Sequence, residues 1–462
     1  MCLPVRSTAL ALALGWLGPL AAVAPPAALA QDRGATAVVR PRPLRFAGLW
    51  GGAGITLLDP ERSGRQTLRH LDLHGEWLLG PIALGIDLDL RFDDLTGLTL
   101  RDEDWDEPSD WLRWLEFAEL GRPGGSYHLG LGPLRDYRLG HGTLLDHYWG
   151  ELDFDSPKTG ARGSFELGYL GAQAVLNDLT AVEVFGGRAA LRPLHDPQGP
   201  AGAELALTGQ IVADRRAPER LRLDGMGQPR FDSRGNLEVA TEAVYGWGVG
   251  AELPALPLLG LELLPYFEYN RLEPHFGWGA HFGLEFAWQL PVLQLQVLAR
   301  AEHREMGAEY LPVYFGPLYE VDRFRYPDPG SPLTRQQFLD GVPAQRSWLG
   351  EATFTISSFL VRTSFEALER TEQHNLYTLA AAIEGVDGVW LELLYAKRGV
   401  RQFEEVFSFD DRTAMRVRLQ LVLGANAWID AQFSRTFILE RDRRRLEPLD
   451  AYALAILFGG RF

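Results

Sequence analysis

Apolar and polar residues alternate along most of this chain. Between residues 82 and 92, large apolar side chains occupy every second position, and Asp87, Asp89 and Arg91 stand between them. An amphipathic helix would instead repeat its apolar residues at i, i+3, i+4 and i+7. The same period of two recurs at 71–79, 282–290 and 417–423. The pattern predicts an all-β protein whose strands each have one apolar and one polar face.

The connections between such segments fall into two classes. Twenty candidate strands can be placed between residues 44 and 462, although the pattern is irregular at 112–120 and short at 172–177. Alternate connections are brief and rich in Gly, Pro or Ser: Gly80-Pro81, 121–126, Gly171, 193–201, 254–257, Pro291, Ser357-Ser358, 385–388 and 424–425. The others include the long loops 96–111, 135–160, 215–237, 306–345, 400–411 and 438–449. This segregation predicts an even-stranded antiparallel barrel with both termini at the short-turn end, and it is not expected of a soluble β-sandwich.

The last fourteen residues, LDAYALAILFGGRF, have the clearest two-faced pattern. Tyr452, Leu454, Ile456 and Phe458 form a large apolar face, and mostly small residues occupy the positions between them. Such a strand is long enough to cross a bilayer, which needs about 9–11 residues. A final strand that ends on Phe462 resembles the assembly signal of Gram-negative outer-membrane β-barrels.

That resemblance implies a transmembrane antiparallel up-and-down β-barrel of about 18–20 strands in the bacterial outer membrane. It also implies two partners: the lipid and lipopolysaccharide of that membrane, and the barrel-assembly machinery, which would recognise the C-terminal strand ending in Phe462.

The N-terminal residues 1–30 are predicted to be a signal peptide rather than part of the fold. Arg6 precedes an apolar stretch at 9–23, and Ala28-Leu29-Ala30 provides a cleavage site after Ala30. A membrane anchor is disfavoured because the stretch is short and is followed by two prolines. Residues 31–43 are then a periplasmic lead-in, and 44–462 form the barrel. The single cysteine, Cys2, leaves with the signal peptide, so the mature chain is predicted to lack disulfides and cysteine metal sites.

The composition is compatible with a barrel and excludes other classes. After the signal peptide, no run of 18 uncharged apolar residues predicts a membrane-spanning helix. Aromatic residues make up 11% of the chain, yet the mean hydropathy is −0.11, as expected when a polar lumen offsets a lipid-facing exterior. The net charge of −16 argues against nucleic acid as a partner.

Charged residues on the polar faces of the strands are predicted to face the lumen. The fourteen acids are Asp72, Glu76, Asp87, Asp89, Asp93, Glu166, Glu242, Glu262, Glu268, Glu285, Glu302, Glu366, Glu392 and Asp430, and the seven bases are Arg91, Arg162, Arg300, Arg304, Arg362, Arg416 and Arg418. This excess of acids predicts a negative interior that favours cations if the lumen is open. A fully paired lumen would be occluded, so the charges alone do not establish conduction.

The segment LRDYRLGHGTLLDHYWG at 134–150 is the strongest candidate for a pore constriction. It resembles the polar, glycine-rich loops of porin-like barrels that fold inward, which would make Arg135, Asp136, Arg138 and His141 constriction residues. The alternative is a metal or hydrolytic site on His141 and His147. Two histidines six residues apart with no third fixed partner are weak support for it. No catalytic residue, metal site or cofactor is therefore predicted.

Two further loop segments have unusual composition. The stretch 310–319 is rich in aromatic and large apolar residues, which predicts either a cap packed into the barrel mouth or a stacking surface for a ligand. The basic cluster at 441–445 could bind lipopolysaccharide phosphates, or it could be a solvated run of charge.

Together these features predict a porin-like, non-enzymatic channel for passive diffusion of small hydrophilic solutes. It would prefer cations and would be narrowed by loops 135–160 and 306–345. The alternative is a structural or surface-interaction barrel that conducts little. A barrel that exports an acidic polysaccharide is disfavoured, because such a lumen should be basic.

Overall fold

The computed structural model describes most of the chain downstream of residue 47. The described residues are 48–60, 66–92, 99–105, 108–152, 158–195, 205–231, 237–253, 256–258, 261–324, 326, 333–386, 388–424, 426–439 and 446–461. The predicted signal peptide, the lead-in at 31–43, the basic cluster at 441–445 and Phe462 lie outside them.

Strands dominate the described residues. They are β1 (Gly48–Pro60), β2 (Gln66–Leu79), β3 (Ile82–Phe92), β4 (Leu115–Gly121), β5 (Tyr127–Gly132), β6 (Gly160–Glu166), β7 (Leu170–Leu176), β8 (Val184–Leu191), β9 (Ala206–Asp214), β10 (Pro218–Leu221), β11 (Val239–Thr241), β12 (Val244–Glu252), β13 (Leu256–Leu258), β14 (Leu261–Glu273), β15 (Gly277–Leu290), β16 (Leu295–Met306), β17 (Gln345–Ile356), β18 (Phe359–Leu368), β19 (Leu376–Val386), β20 (Val389–Arg398), β21 (Thr413–Gly424), β22 (Ala427–Leu439) and β23 (Leu446–Arg461). Two short α-helices, α1 (Tyr319–Asp322) and α2 (Arg335–Leu339), lie between β16 and β17. No helix in the described ranges is long and apolar enough to cross a membrane.

The main sheet closes on itself. Its pairings are antiparallel, and β1 pairs with both β2 and β23, in a register that runs from Gly48↔Arg461 to Pro60↔Leu449. The sheet has 21 strands, of which β13 is a three-residue segment in the β12–β14 turn, so twenty strands form the wall. The predicted antiparallel barrel is therefore confirmed, and the two irregular segments at 112–120 and 172–177 correspond to β4 and β7.

Short and long connections lie at opposite ends of the barrel, as predicted, but the position of one turn is corrected. Short turns lie at the end of the barrel that holds both chain ends of the described residues, and the long loops lie at the other end. The turn predicted at Gly171 is instead at 167–169, because Gly168 takes the positive φ (75°) that the bend requires. Gly171 lies within β7, where it pairs with Ala190 of β8.

The two faces of the strands differ as the alternation predicts. On β23, Leu454 and Ile456 are exposed on the exterior, whereas Ala451 and Ala455 are buried towards the lumen. Similar apolar side chains are exposed on the outside of β2, β17 and β18. Apolar area of this extent is a liability in water but is stable against lipid. The exterior is therefore the membrane-facing surface.

Two long loops fold into the barrel. They are the 133–159 loop, between β5 and β6, and the 307–344 loop, between β16 and β17. Their apolar side chains form one buried cluster with wall residues that include Val184, Val212 and Val244, and a second with Leu394 and neighbours on β19–β22. Part of the lumen is thus packed like the core of a soluble domain.

Candidate functional site

The 133–159 loop forms a tight hairpin inside the barrel. Tyr137 and Tyr148 exchange backbone hydrogen bonds of 3.0 and 2.9 Å. Gly140 and Gly142 flank His141 with φ of 58° and 75°, values that L side chains rarely adopt. These glycines allow the chain to reverse within the confined lumen.

The two inward loops are joined to each other by backbone hydrogen bonds. The Val313 and Phe315 amides donate to the carbonyls of Thr143 and Leu144, each over 3.1 Å. In the 307–344 loop, Tyr310, Tyr314 and Phe315 are at most 1% exposed. A stacking surface for a ligand would need accessible rings, so the structure supports the packed-cap interpretation of the 310–319 segment.

Three of the four predicted constriction residues bind the barrel wall on the side of β14–β18. Arg138 donates to Asp146 over 2.5 Å and to Glu351 of β17 over 2.6 Å. Asp136 accepts a 2.6 Å hydrogen bond from Arg362 of β18. His141 Nδ1 lies 2.8 Å from Glu285 of β15, and its ring stacks on Tyr266 at 3.8 Å.

The fourth predicted residue, Arg135, turns to the opposite side of the loop. Its guanidinium donates to Glu116 over 2.6 Å and to Glu151 over 2.7 Å. Glu151 also forms an ion pair with Arg416 of β21. The four residues therefore do not form one cluster, because the loop lies between them and separates Arg135 from the rest.

These loop charges are held ionised by their partners. Burial opposes ionisation of Asp136, but Arg362 and His147 more than compensate and lower its pKa. Burial opposes ionisation of Arg138 in the same way, and Asp146 and Glu351 raise its pKa. Burial also opposes ionisation of Glu320 in α1, but the nearby Lys158 and Arg323 more than compensate and lower its pKa to about 2. The arrangement is a salt-bridge network that fixes the loops to the wall.

A cavity of about 160 Å³ remains between the 133–159 loop and the opposite wall. The cavity remains because the residues of β1 and β23 that line it are mostly small, such as Thr56, Ala451, Ala453 and Ala455. The charged residues that line it are Asp72, Asp87, Asp89, Glu116, Glu151 and Asp430, and Arg91, Arg113, Arg135, Lys158, Arg416 and Arg418, together with His70. Six acids and six bases therefore face this space.

Seven of the twenty-one charged residues predicted to face the lumen line this cavity: Asp72, Asp87, Asp89, Asp430, Arg91, Arg416 and Arg418. Arg418 lies between two acids, 2.9 Å from Asp87 and 2.6 Å from Asp430.

The remaining predicted lumen residues lie elsewhere. Arg300 donates to Asp146 of the 133–159 loop over 2.6 Å, and Glu302 lies 2.8 Å from His281 in the wall. Glu285 is the partner of His141, and Glu262 is near the short-turn end of β14. Glu242 was wrongly placed in the lumen: it is exposed in the loop before β12, because the wall starts only at Val244. Asp93 lies outside the described residues.

Sequence reasoning missed several residues that line the cavity. Glu116 sits in the irregular β4 segment, and Arg113, Glu151 and Lys158 come from loops, where alternation gives no direction. His70 could have been found, because it lies two residues before Asp72 on the same face of β2.

A closed wall of antiparallel strands with an apolar exterior and a charged interior defines a transmembrane β-barrel of the outer-membrane class. Among solved structures, the fold is similar to OccK8 (OprE) of Pseudomonas aeruginosa, with 11% identity and a TM-score of 0.34, over 90% of this chain and 98% of that one. It is also similar to OccK9 (OpdG) of Pseudomonas aeruginosa (12%, 0.33, over 90% and 99%) and to OccAB4 of Acinetobacter baumannii (10%, 0.31, over 91% and 100%). No protein-family model and no curated protein matches the sequence.

Proposed function

We propose that this barrel is an outer-membrane channel for passive diffusion of small hydrophilic solutes, and that the cavity beside β1 and β23 belongs to the solute path. The observation that carries the proposal is the cavity itself, which is bounded by charged residues and by the small side chains of Thr56, Ala453 and Ala455. A barrel that served only as a scaffold would gain stability by filling this space with larger side chains, as the other side of the lumen is filled. Barrels of this strand number are wide enough for an aqueous channel.

The two inward loops would narrow this path. They fill the side of the lumen next to β8–β18 and pack in a second cluster against β19–β22, and Arg135 extends from the 133–159 loop to the cavity. Because Arg135 is held by both Glu116 and Glu151, it would form a fixed edge of the constriction rather than a mobile one. Asp136, Arg138 and His141 would act by holding the loop in place.

A modest cation preference is part of the proposal. The six acids and six bases of the lining balance, but three of the bases are paired with acids just behind it. Arg91 and Arg113 both lie 3.2 Å from Asp104, and Lys158 binds Glu183 and Glu320 over 2.9 and 2.7 Å. Arg101 and Arg323 in turn bind these three acids, so including all five residues leaves the surroundings of the cavity with one more acid than bases. A low-dielectric wall would focus this negative field into the path.

The predicted cellular context belongs to the same proposal. The short-turn end of the barrel would face the periplasm, after export directed by residues 1–30 and cleavage after Ala30. Assembly would use the C-terminal strand that ends in Phe462, and the basic cluster at 441–445 would contact lipopolysaccharide.

A second candidate, a structural or surface-interaction barrel that conducts little, is favoured by the extent of pairing inside the lumen. Arg300, Arg304 and Arg362 are each at most 3% exposed and are bound to acids. If similar pairs also closed the path above or below the cavity, solutes could not pass.

Single-channel recording of the refolded full-length barrel in a planar bilayer separates the two functions. We expect stable conductance, with a reversal potential in a KCl gradient that indicates a weak cation preference. That preference should decline as salt rises, since the Debye length falls from about 10 Å at 0.1 M to about 3 Å at 1 M. Absence of conductance would favour the structural barrel, and an anion preference would contradict the charge argument.

Two variants should change the width of the solute path in opposite directions. Replacing 310–319 by a short Gly-Ser linker should raise conductance, because it removes the packed centre of the cap. Ala453→Trp should lower conductance, because Ala453 lines the cavity and a larger side chain would fill it. The second variant leaves the loops intact, so it stays informative if the loop replacement fails to fold. Unchanged conductance in Ala453→Trp would show that solutes do not pass through this cavity.

A further inference from the structure

Two aspartates face each other directly across β2 and β3 in the wall of the cavity. Asp72 is the cross-strand partner of Asp89, and both side chains line the cavity. Like charges at directly opposed positions destabilise a sheet. The pair therefore needs compensation, either by a positive charge close to both carboxylates or by a proton on one of them.

The inner oxygens of this pair receive little compensation from the protein. Asp72 Oδ2 and Asp89 Oδ1 are buried, and among the described residues only the His70 ring comes close to them as a donor. Its two nitrogens are shared with other partners, since Nδ1 lies 3.3 Å from Thr56 Oγ1 and Nε2 lies 3.5 Å from the Leu454 carbonyl. Arg91 donates to Asp89, but to its other oxygen, Oδ2, over 2.8 Å. Buried carboxylate oxygens without donors are unusual, because each loses its hydration without replacement.

A histidine completes the group. His70 Nε2 lies 3.7 Å from Asp72 Oδ2, and Nδ1 lies 3.3 Å from Asp89 Oδ1. One potential ligand atom from each of the three residues lies within 4.8 Å of the other two. The imidazole lies over β1 at Gly54, where any Cβ would collide with its ring. A glycine on β1 therefore makes room for the histidine beside the carboxylates.

A second group with similar chemistry shows what a salt-bridge cluster looks like in this barrel. Asp146, His147 and Glu351 are equally close together. There, however, Arg138 binds Asp146 and Glu351 over 2.5 and 2.6 Å, and Arg300 binds Asp146 over 2.6 Å. Arginines occupy the place of a cation in that group. Within the described ranges, no such arginine binds the inner oxygens of Asp72 and Asp89.

We propose that His70, Asp72 and Asp89 bind a divalent transition-metal ion of the Zn²⁺ type in the cavity wall. One imidazole nitrogen and two carboxylate oxygens suit such ions, whereas Ca²⁺ prefers six to eight oxygen ligands. The cavity side leaves coordination positions for water, so the ion can enter from the solute path. The bound ion would also neutralise the Asp72–Asp89 repulsion. This assignment departs from the sequence analysis, which predicted no metal site.

Isothermal titration of the refolded full-length barrel with Zn²⁺ tests the site. We expect one site that is absent from titrations with Ca²⁺ and that loses at least tenfold in affinity in Asp72→Asn and in Asp89→Asn. Both variants relieve the like-charge contact, so they should still fold. Asp87→Asn is the matched control: Asp87 lies on the same face of β3 and lines the same cavity, but it is bound to Arg418 over 2.9 Å. Its affinity should stay within about threefold of the parent protein.

Either of two results of the titration would overturn the proposal. Zn²⁺ affinity unchanged by Asp72→Asn and Asp89→Asn, or lost in Glu351→Gln instead, would show that the ion does not bind here. Binding does not depend on conduction, whereas block of the conductance by Zn²⁺ rests on the proposed channel function. A barrel that binds Zn²⁺ through Asp72 and Asp89 but does not conduct would therefore refute the channel and keep the metal site.

Discussion

The two sides of the lumen are built from the same kind of strand but have opposite contents. Next to β8–β18, long side chains such as Tyr266, Arg300 and Arg304 meet the inward loops, and the space is filled. Next to β1 and β23, the lumen-facing residues at the level of the cavity are small, as at Thr56, Ala451 and Ala453, and the cavity remains there. Nearer the short-turn end, Trp50 of β1 stacks on Trp428 of β22. The volume of lumen-facing side chains, rather than strand number, decides where a barrel of this size stays open.

The charges on the two sides also differ in their surroundings. On the filled side, Asp136, Arg300 and Arg362 are almost fully buried, and their partners come from both loop and wall. Removing one partner there leaves an uncompensated charge, which costs far more than the pair itself contributes. On the open side, Asp87 and Asp89 are partly exposed to the cavity, where water can screen them.

The largest effect is expected from deleting a strand on the open side of the lumen. A truncation that lacks Tyr452 to Phe462 deletes most of β23 and leaves β1 and β22 with unpaired edges in lipid. Each unsatisfied backbone group costs several kcal/mol there, so we expect no folded protein in the membrane. Surface accumulation, measured by protease accessibility on whole cells, checks this. Normal accumulation of the truncated chain would refute the closed barrel.

On the filled side, Asp136→Ala should lower the free energy of unfolding by about 3–5 kcal/mol. The substitution leaves the buried Arg362 without its carboxylate, and it removes the acceptor 2.7 Å from His147. Chemical unfolding in detergent or lipid measures the change. Glu404→Ala is the control, because Glu404 is exposed in the β20–β21 loop, and it should change stability by less than about 0.5 kcal/mol. Equal effects would mean that the loops are not fixed to the wall as described.

Neighbouring positions on β23 sharpen the distinction between lipid and lumen. Leu454→Arg places a charge on the exposed apolar exterior near the middle of the strand and should cost about 2–4 kcal/mol. Ala453→Arg places the same side chain in the cavity and should cost under about 1 kcal/mol while it changes conductance. Unfolding free energies of the two variants decide the matter. Similar costs would mean that the register of β23 is shifted by one residue.

Acid should loosen the filled side through Glu320. Lys158 and Arg323 lower its pKa in the folded protein from 4.5 to about 2, so its contribution is complete above pH 4.5 and declines as the pH falls towards 2. The lost stability should approach about 3 kcal/mol. Glu320→Gln, which cannot titrate, should show a flatter decline between pH 5 and 3 than the parent protein. Parallel pH profiles would exclude this residue as the cause.

The barrel could be predicted from the sequence alone because each strand alternates between apolar residues that suit lipid and polar or small residues that suit the lumen. Alternation at 82–92 and at the C-terminus distinguished the lipid-facing from the lumen-facing residues, and the glycine and proline turns set the topology. These are local signals with a fixed period, so they can be recognised without knowing which strands are neighbours. The turn at Gly168 was misplaced by three residues because several glycines lie close together there.

The contacts inside the lumen could be determined only from the tertiary structure. The sequence placed Arg135, Asp136, Arg138 and His141 in one constriction, but the hairpin directs Arg135 to the cavity and the other three to the opposite wall. The sequence also could not show that His70 of β2 stands over Gly54 of β1, between Asp72 and Asp89. Loop residues follow no period, and contacts across a lumen join positions far apart in the chain. Only the closed barrel brings them together.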